Sequence, residues 1–565
     1  MISSTTEAHG QISEKEPISR QEWWIASGGL FLLLLLKLLY TFHLRIDSDE
    51  PQHLHTVWAW ANGLLPYRDV FDNHMPLFQW LCAPLFRAFG ERPDIVSMMR
   101  LAMIPLFFGM LWAAYRITAL LHSARAGLWA MLCTGFCPKF FFVSSEYRTD
   151  DLWSLVWLIA LVVLLKGRFT GWRAFGCGLL VGTAFAISMK STLLVGTLAL
   201  SSAVVLVLRW NRGEGIDWRR ILQGAVLFVA GTALFPLAIM LFFRAQGAWE
   251  PFVYCVFKHN VVPGVLETNG VPIAGRPYYF PVTLALLLFL AWRLLRSGAG
   301  NERFVLILLA AGFYLSALWS YWPILSAEDY EPFYPMLFSV LVPAIFQLAR
   351  RWSEVLPPRV TRAFLLLTVA GFFQFWLAFT ERPFTDATVP DVQMLADVLK
   401  LTVPGQYLMD GKGETVFRPR PYYYAMETMT DARFVRGLLT DDVAARIIEK
   451  KPPVARLQRL PHPAAHKFVA ANYVHVTPQL LVLGKELSES PSKEGGVRQF
   501  SVAIPERYAV VDAAGHSMPG KMDGQPMKDA ISLDAGPHSF TPDSPSAHLF
   551  LFWASAAEKG YRPQR

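Results

Sequence analysis

The sequence predicts a polytopic α-helical membrane protein of about eleven spans, followed by a C-terminal extracytoplasmic region of α/β and then β-rich structure. Three observations predict it. Hydrophobic residues make up 53% of the 565 positions and charged residues only 17%, against about 45–50% and about 25% in soluble domains. Apolar runs of bilayer-crossing length, about 17–25 residues, recur as far as residue 380. The charge also changes there: Lys and Arg exceed Asp and Glu by seven before that point and by one after it. The basic balance therefore belongs to the membrane half and reads as topology rather than as a nucleic-acid surface.

Residues 1–23 are mostly polar and are expected to form a disordered cytoplasmic N-terminus. The run Trp24 to Phe42 is longer than a signal-peptide core and lacks a small-residue cleavage site, so it reads as a retained anchor. Further spans are expected near 97–121, 126–144, 152–166, 174–189, 191–208, 221–243, 280–296, 303–322, 334–349 and 363–379, which closes a membrane domain over 24–380. With the N-terminus cytoplasmic, the inside connections hold Lys166, Arg173, Arg209, Arg220, Arg296, Arg303 and Arg362 among others, as the positive-inside rule requires. Fifteen of the 23 carboxylates before residue 381 fall on the opposite side. The odd span count places 381–565 outside too, on the periplasmic face of a cell inner membrane.

The first outer loop, 43–96, contains a helix: Leu54, Val57, Trp58 and Ala61 keep i, i+3, i+4, i+7 spacing, with Pro51 in the first turn and Gly63 at the end. It should lie along the membrane surface. The five cysteines, all before residue 380, have no metal-ligand spacing; Cys133 and Cys137 stand one helical turn apart and read as helix packing. In the tail, Val392, Leu395, Val398 and Leu399 suggest a helix, Gln406 to Met409 a strand and Asp441 to Lys450 a second helix, giving an α/β region over 381–495. From 496 to 565, short β-type runs alternate with turn signals such as Asp523-Gly524 and Ala535-Gly536, a small β-rich module.

Chemistry is expected on the acidic, aromatic outer face. Asp47, Asp49 and Glu50 crowd three carboxylates into four positions at the start of the loop helix. A general base or a helix cap both fit this placement. Glu146, Arg148, Asp150 and Asp151 lie at a second outer junction, where Arg148 can pair with a carboxylate or a phosphate. Between them come Tyr67, Asp69, Asp72, Asn73 and His74, just before an apolar helix. Lys190 interrupts an otherwise apolar stretch from Ala174 to Leu208, and an ion near a membrane interior is a functional candidate or a snorkelling interface lysine. Two further outer loops contribute Lys258, His259 and Tyr279, and Glu328, Asp329, Tyr330, Glu331 and Tyr334. No phosphate-cradling glycine loop, nucleophile elbow or zinc motif is present, so a cytosolic nucleotide donor has no site.

The stretches Asp49-Glu50, Gly63-Leu64-Leu65-Pro66-Tyr67-Arg68-Asp69 and His74-Met75-Pro76-Leu77 resemble the first outer loop of the lipid-donor glycosyltransferases of the glycosyltransferase C superfamily. The likeness is to bacterial relatives of dolichyl-phosphate-mannose protein mannosyltransferases and to the aminoarabinose transferases of lipid A, over residues 24–380. It implies a catalytic Asp at Asp49, paired with Glu50, a second acidic position at Asp150, and a basic position at His74, where Lys is commoner. Lys190 resembles the family's lysine after the fifth span, and Asp329-Tyr330 stands where many relatives have His-Tyr.

The function expected from these readings is inverting transfer of a hexosyl or pentosyl group from a polyprenyl-phosphate-linked donor to a hydroxyl of a lipid, glycan or protein. Asp49, Glu50 and Asp150 form the catalytic set; His74, Arg148, Lys190, Asp47 and Tyr67 serve substrate and phosphate. No cofactor is required, and the spacing admits a divalent cation between the acidic loops without demanding one. The alternative is a secondary transporter, which also suits about eleven spans with occasional buried ions.

Overall fold

The computed structural model describes residues 17–167, 170–262, 276–296, 301–322, 324–352, 371, 384–460, 463–487, 496–544 and 548–564. The first sixteen residues, Arg362 and the expected eleventh span, Gly371 apart, lie outside them.

The membrane half is a bundle of helices α1 (Arg20–His43), α2 (Asp49–Ala61), α3 (Leu77–Phe89), α4 (Ile95–Arg100), α5 (Met103–Leu121), α6 (Ala124–Gly135), α7 (Pro138–Val143), α8 (Thr149–Leu165), α9 (Gly171–Ile187), α10 (Ser191–Asn211), α11 (Trp218–Ala245), α12 (Trp249–Val253), α13 (Arg276–Arg296), α14 (Glu302–Tyr321) and α15 (Phe333–Trp352). Ten of the eleven expected segments are thus helical. Among the described residues, six helices are long and apolar enough to cross a bilayer by length and composition, and two shorter ones, Gly171–Ile187 and Phe333–Gln347, are apolar.

Local chemistry explains the boundaries. Ser19 and Glu22 form a reciprocal capping box that starts α1, and Glu22 also accepts from Arg125 at 2.7 Å, tying α1 to α6. The expected segment 126–144 is broken, because Pro138 opens a new helix at its first position; Cys133 and Cys137 therefore sit on either side of a break, in different helices' packing. Close approach of α9 and α11 depends on glycine. A Cβ on Gly178 would stand 2.1 Å from the Phe228 carbonyl oxygen, and one on Gly182 would stand 2.4 Å from that of Thr232, a small-residue interface of the kind that holds membrane helices together.

Chain direction sorts the bundle into two ends. At one lie the C-terminus of α10 and the N-terminus of α14, where Arg209 and Arg212 meet Glu302 at 3.4 and 2.9 Å. At the other gather the C-termini of α1, α9 and α14 and the N-termini of α2, α8 and α10. That second end carries the polar groups.

The loop helix forms where its spacing predicts, but its surroundings differ from expectation. From Glu50 to Ala59 every residue of α2 is buried, because the tail covers the face that the sequence leaves to water. His55 Nδ1 bonds the Val416 carbonyl at 2.7 Å.

In the tail, helices Val389–Leu401 and Val443–Lys450 form as expected, with Leu395, Val398 and Ile447 in the core. The described residues of the tail also form the strands β1 (Leu408–Met409), β2 (Val454–Ala455), β3 (Tyr473–His475), β4 (Leu481–Leu487), β5 (Arg498–Val502), β6 (Glu506–Asp512), β7 (Gly520–Met522), β8 (Gln525–Met527), β9 (Ala530–Leu533), β10 (Gly536–Pro542) and β11 (Leu549–Trp553). A seven-stranded sheet runs β1-β2-β4-β11-β6-β9, with β3 also on β4, and a four-stranded sheet runs β5-β10-β7-β8. Among the described strands only β1 and β2 pair in parallel. Because β11 pairs with both β4 and β6, one sheet runs through the residues on both sides of position 495. Asp523 and Gly524, with φ of 49° and 81°, join β7 to β8, the positive-φ pair that a two-residue hairpin turn requires.

Candidate functional site

Asp49 stands in the first turn of α2, just after the C-terminal end of α1, and Arg148 immediately precedes α8. The two loops meet. Arg148 Nη2 donates to Asp49 Oδ2 at 2.7 Å, and its guanidinium lies 3.3 Å from Asp47, 3.5 Å from Glu146 and 3.6 Å from Asp150. A fifth carboxylate, Glu328, bonds the same Nη2. Asp49 and Asp150 thus share one guanidinium, although 100 residues separate them.

Lys190 supplies the second cation. It lies in the short break between α9 and α10, with its ammonium 3.0 Å from Asp150 and 2.6 Å from Asp329. Burial alone would lower its pKa, but Asp150 and Asp329 push it well above the usual lysine value. Lys190 is therefore a fixed positive charge.

A cavity of about 270 Å³ opens beside these groups, lined by Asp49, Asn73, His74, Arg148, Ser188, Lys190, Asn260, Glu328, Asp329, Glu427 and apolar neighbours including Trp322 and Met429. Its wall is built by six separate stretches: the chain between α1 and α3, Arg148 before α8, the α9–α10 break, Asn260 after α12, the connection between α14 and α15, and the tail. Asn73 and Asn260 lock two of its rims, Asn73 Nδ2 donating to Asn260 Oδ1 at 3.1 Å and Asn260 Nδ2 donating to the Asn73 carbonyl at 2.8 Å.

His74 bonds Asp72 at 2.8 Å through Nδ1, and its ring packs against that of His53 at 4.6 Å. Tyr67 is buried away from the cavity; its hydroxyl donates to the His74 carbonyl at 2.6 Å, so it holds the backbone of the cavity wall rather than facing a ligand. Asp47 is half-buried on Arg148 and its backbone N–H donates to Glu50 at 2.9 Å.

Glu50 departs from the expected catalytic pairing. Its side chain is fully buried and turned to Arg100, accepting from Nε at 2.7 Å and Nη2 at 2.5 Å, while the backbone N–H of Tyr147 donates to it at 2.7 Å. Glu50 ties the two acidic loops to α4 and does not line the cavity. Sequence spacing alone puts Asp49 and Glu50 together, but consecutive residues of a helix point about 100° apart.

Charge crowding orders the protonation states. Burial would raise Asp49, but Arg148 and then Lys412 hold it well below the usual carboxylate range. Burial, reinforced by Glu50, pushes Glu146 up to about 8 although Arg148 is near. Glu331, expected among the outer-loop residues, is fully buried beside Asp151, and the two effects hold its carboxyl protonated well above the ordinary range.

Three contributors carry no sequence signal before the fold is known: Lys412 on Asp49, Glu427 in the cavity wall, and Arg100 under Glu50. Each lies on a different element from its partner. Glu427 caps the helix Thr428–Val435 and bonds His259 at 3.1 Å. Asp49, Glu328 and Asp329 in the cavity wall contact Arg148 or Lys190, and among the described residues no three His, Cys, Asp or Glu side chains converge as metal ligands.

No family model and no curated protein matches the chain. Solved structures do. ArnT from Cupriavidus metallidurans in the apo state aligns over 81% of this chain and 98% of its own, at 15% identity and a TM-score of 0.53. The same protein bound to undecaprenyl phosphate aligns over 82% and 98%, at 15% identity and 0.52. The archaeal oligosaccharyltransferase AglB from Archaeoglobus fulgidus, in complex with an inhibitory peptide and a dolichol-phosphate, aligns over 81% and 74%, at 12% identity and 0.43. At such identity the ArnT likeness shows the fold alone: a helical chain with a sheet-containing C-terminal region.

Proposed function

We propose that the chain is an inverting glycosyltransferase that moves a sugar from a polyprenyl-phosphate-linked donor to a hydroxyl acceptor at the outer face of the cell inner membrane. The observation that carries this reading is the meeting of Asp49 and Asp150 on Arg148, with Lys190 beside them, at one rim of the bundle next to a cavity. The ArnT fold supports a lipid-phosphate donor, since that protein is solved with undecaprenyl phosphate.

In the proposed reaction the acceptor oxygen attacks the anomeric carbon as its proton passes to Asp49, and the carbon–phosphate-oxygen bond breaks with its electron pair leaving on the phosphate. Arg148, Lys190 and His74 stabilise the charge that develops there, which lowers the barrier to the extent that these contacts tighten in the transition state. Asp150 positions Lys190 and Arg148. The basic connections at the opposite end of the bundle support a periplasmic site and tail. The ions gather at one rim rather than at midplane, which favours transfer chemistry over a transporter.

The test is mass spectrometry of envelope glycolipids and glycoproteins from cells with and without the protein, joined to transfer assays with purified protein and defined polyprenyl-phosphate sugars. A discrete sugar-sized mass difference is expected. No mass difference together with altered solute uptake overturns the reading in favour of transport.

A further inference from the structure

Just after β1 the tail makes a tight turn, Asp410-Gly411-Lys412-Gly413-Glu414-Thr415, that delivers one side chain to the site. Asp410 is fully buried and accepts from the N–H of Gly413 at 2.7 Å, the N–H of Thr415 at 2.9 Å and the Thr415 hydroxyl at 2.6 Å, while Arg420 pairs with it at 2.9 Å. The residues flanking Lys412 have no room for a side chain. A Cβ on Gly411 would stand 2.4 Å from the Arg459 carbonyl oxygen, and Gly413 has φ of 88° with the His55 side chain 3.0 Å from where its Cβ would be. The turn is seated on the membrane half by His55 on Val416 and by Arg418 on Glu91 at 2.9 Å.

The Lys412 ammonium reaches Asp49 Oδ1 and lies 3.4 Å from the Ser48 hydroxyl. Arg148 holds the other oxygen. Lys412 does not line the cavity, and its side chain is 6% exposed; a buried ammonium at this contact requires an ionised partner. We propose that Lys412 is a positioning residue for Asp49, through which the docked tail completes the site. This rests on the transferase reading. The charged groups facing Asp49 are Asp47 and His53 from its own loop and helix, Arg148, Glu146 and Asp150 around the start of α8, Lys190 before α10, Glu328 and Asp329 from the 327–330 turn, His74, and Lys412.

An opposite charge in contact lowers a carboxyl pKa by about 1–3 units, so Lys412→Met moves the acid limb of the pH–kcat profile upward by about that amount. The donor KM stays within about twofold, because Lys412 acts through Asp49, and Lys412→Arg returns the limb. Glu91→Gln loosens the same segment without touching Asp49 and leaves the limb in place. A thermal double-mutant cycle of Lys412→Met with Asp49→Asn is non-additive. Coincident limbs in wild type and Lys412→Met, or additive thermal losses, overturn the proposal. Wild-type protein that transfers no sugar from any lipid donor overturns the transferase reading instead, and the cycle still decides whether Lys412 and Asp49 act as a pair.

Discussion

Replacing Glu50 by Gln separates a structural carboxylate from a chemical one. The side chains of Glu50 and Arg100 are both fully shielded from solvent. Each Glu50 oxygen accepts twice: Oε1 from Arg100 Nη2 and the Asp47 N–H, Oε2 from Arg100 Nε and the Tyr147 N–H. Gln keeps the shape but turns one oxygen into a donor, so two buried N–H groups face an N–H. At about 1–3 kcal/mol for each unmade buried bond, the loss is about 2–6 kcal/mol, in line with about 3–5 kcal/mol for breaking a buried ion pair. Thermal unfolding in detergent, followed by reaction of the buried thiols of Cys133, Cys177 and Cys255 with a maleimide dye, reads this loss. The double variant Glu50→Leu, Arg100→Met should recover part of it, because no lone charge is then left inside. A Glu50→Gln protein that melts within about 0.5 kcal/mol of wild type yet loses transfer would falsify the structural assignment and return Glu50 to the chemistry.

Asp49→Asn is expected to lower kcat by about 10²–10⁴-fold with membrane insertion intact, because Arg148 keeps Asp47, Asp150 and Glu328; full activity of the purified variant refutes the base. Lys190→Gln should raise the donor KM about tenfold or more, by loss of about 1.4 kcal/mol or more of phosphate attraction, and an unchanged response to donor concentration counts against that role. For Glu146, whose carboxyl is raised from 4.5 to about 8, the unfolded chain has released a proton that the folded protein keeps throughout that window. Stability then falls as pH rises from about 4.5 to 8, by up to about 1.4 kcal/mol per unit. Glu146→Gln removes this dependence, so it melts higher than wild type at pH 8 and level with it at pH 4; equal melting at both is the refuting result.

The membrane helices were legible along the chain because a bilayer admits only long apolar segments with their backbone bonds satisfied internally, and Trp24 to Phe42 or Ala174 to Leu208 announce themselves by composition. The Asp523-Gly524 hairpin was legible for a similar reason, since its backbone demands belong to two adjacent residues. Asp49, Arg148, Asp150 and Lys190 could be named as separate anomalies of charge near apolar runs. The particular pairs they form could not, because contact across about 100 residues depends on which helix ends share a rim. Folding in three dimensions alone decided that Glu50 turns to Arg100 while Asp49 faces the cavity, that the tail buries α2, and that Lys412 arrives from more than 360 residues away. Spans follow from each segment's own solubility, whereas a site is a matter of charges finding partners once water has been excluded, and that partnership is written in no local stretch.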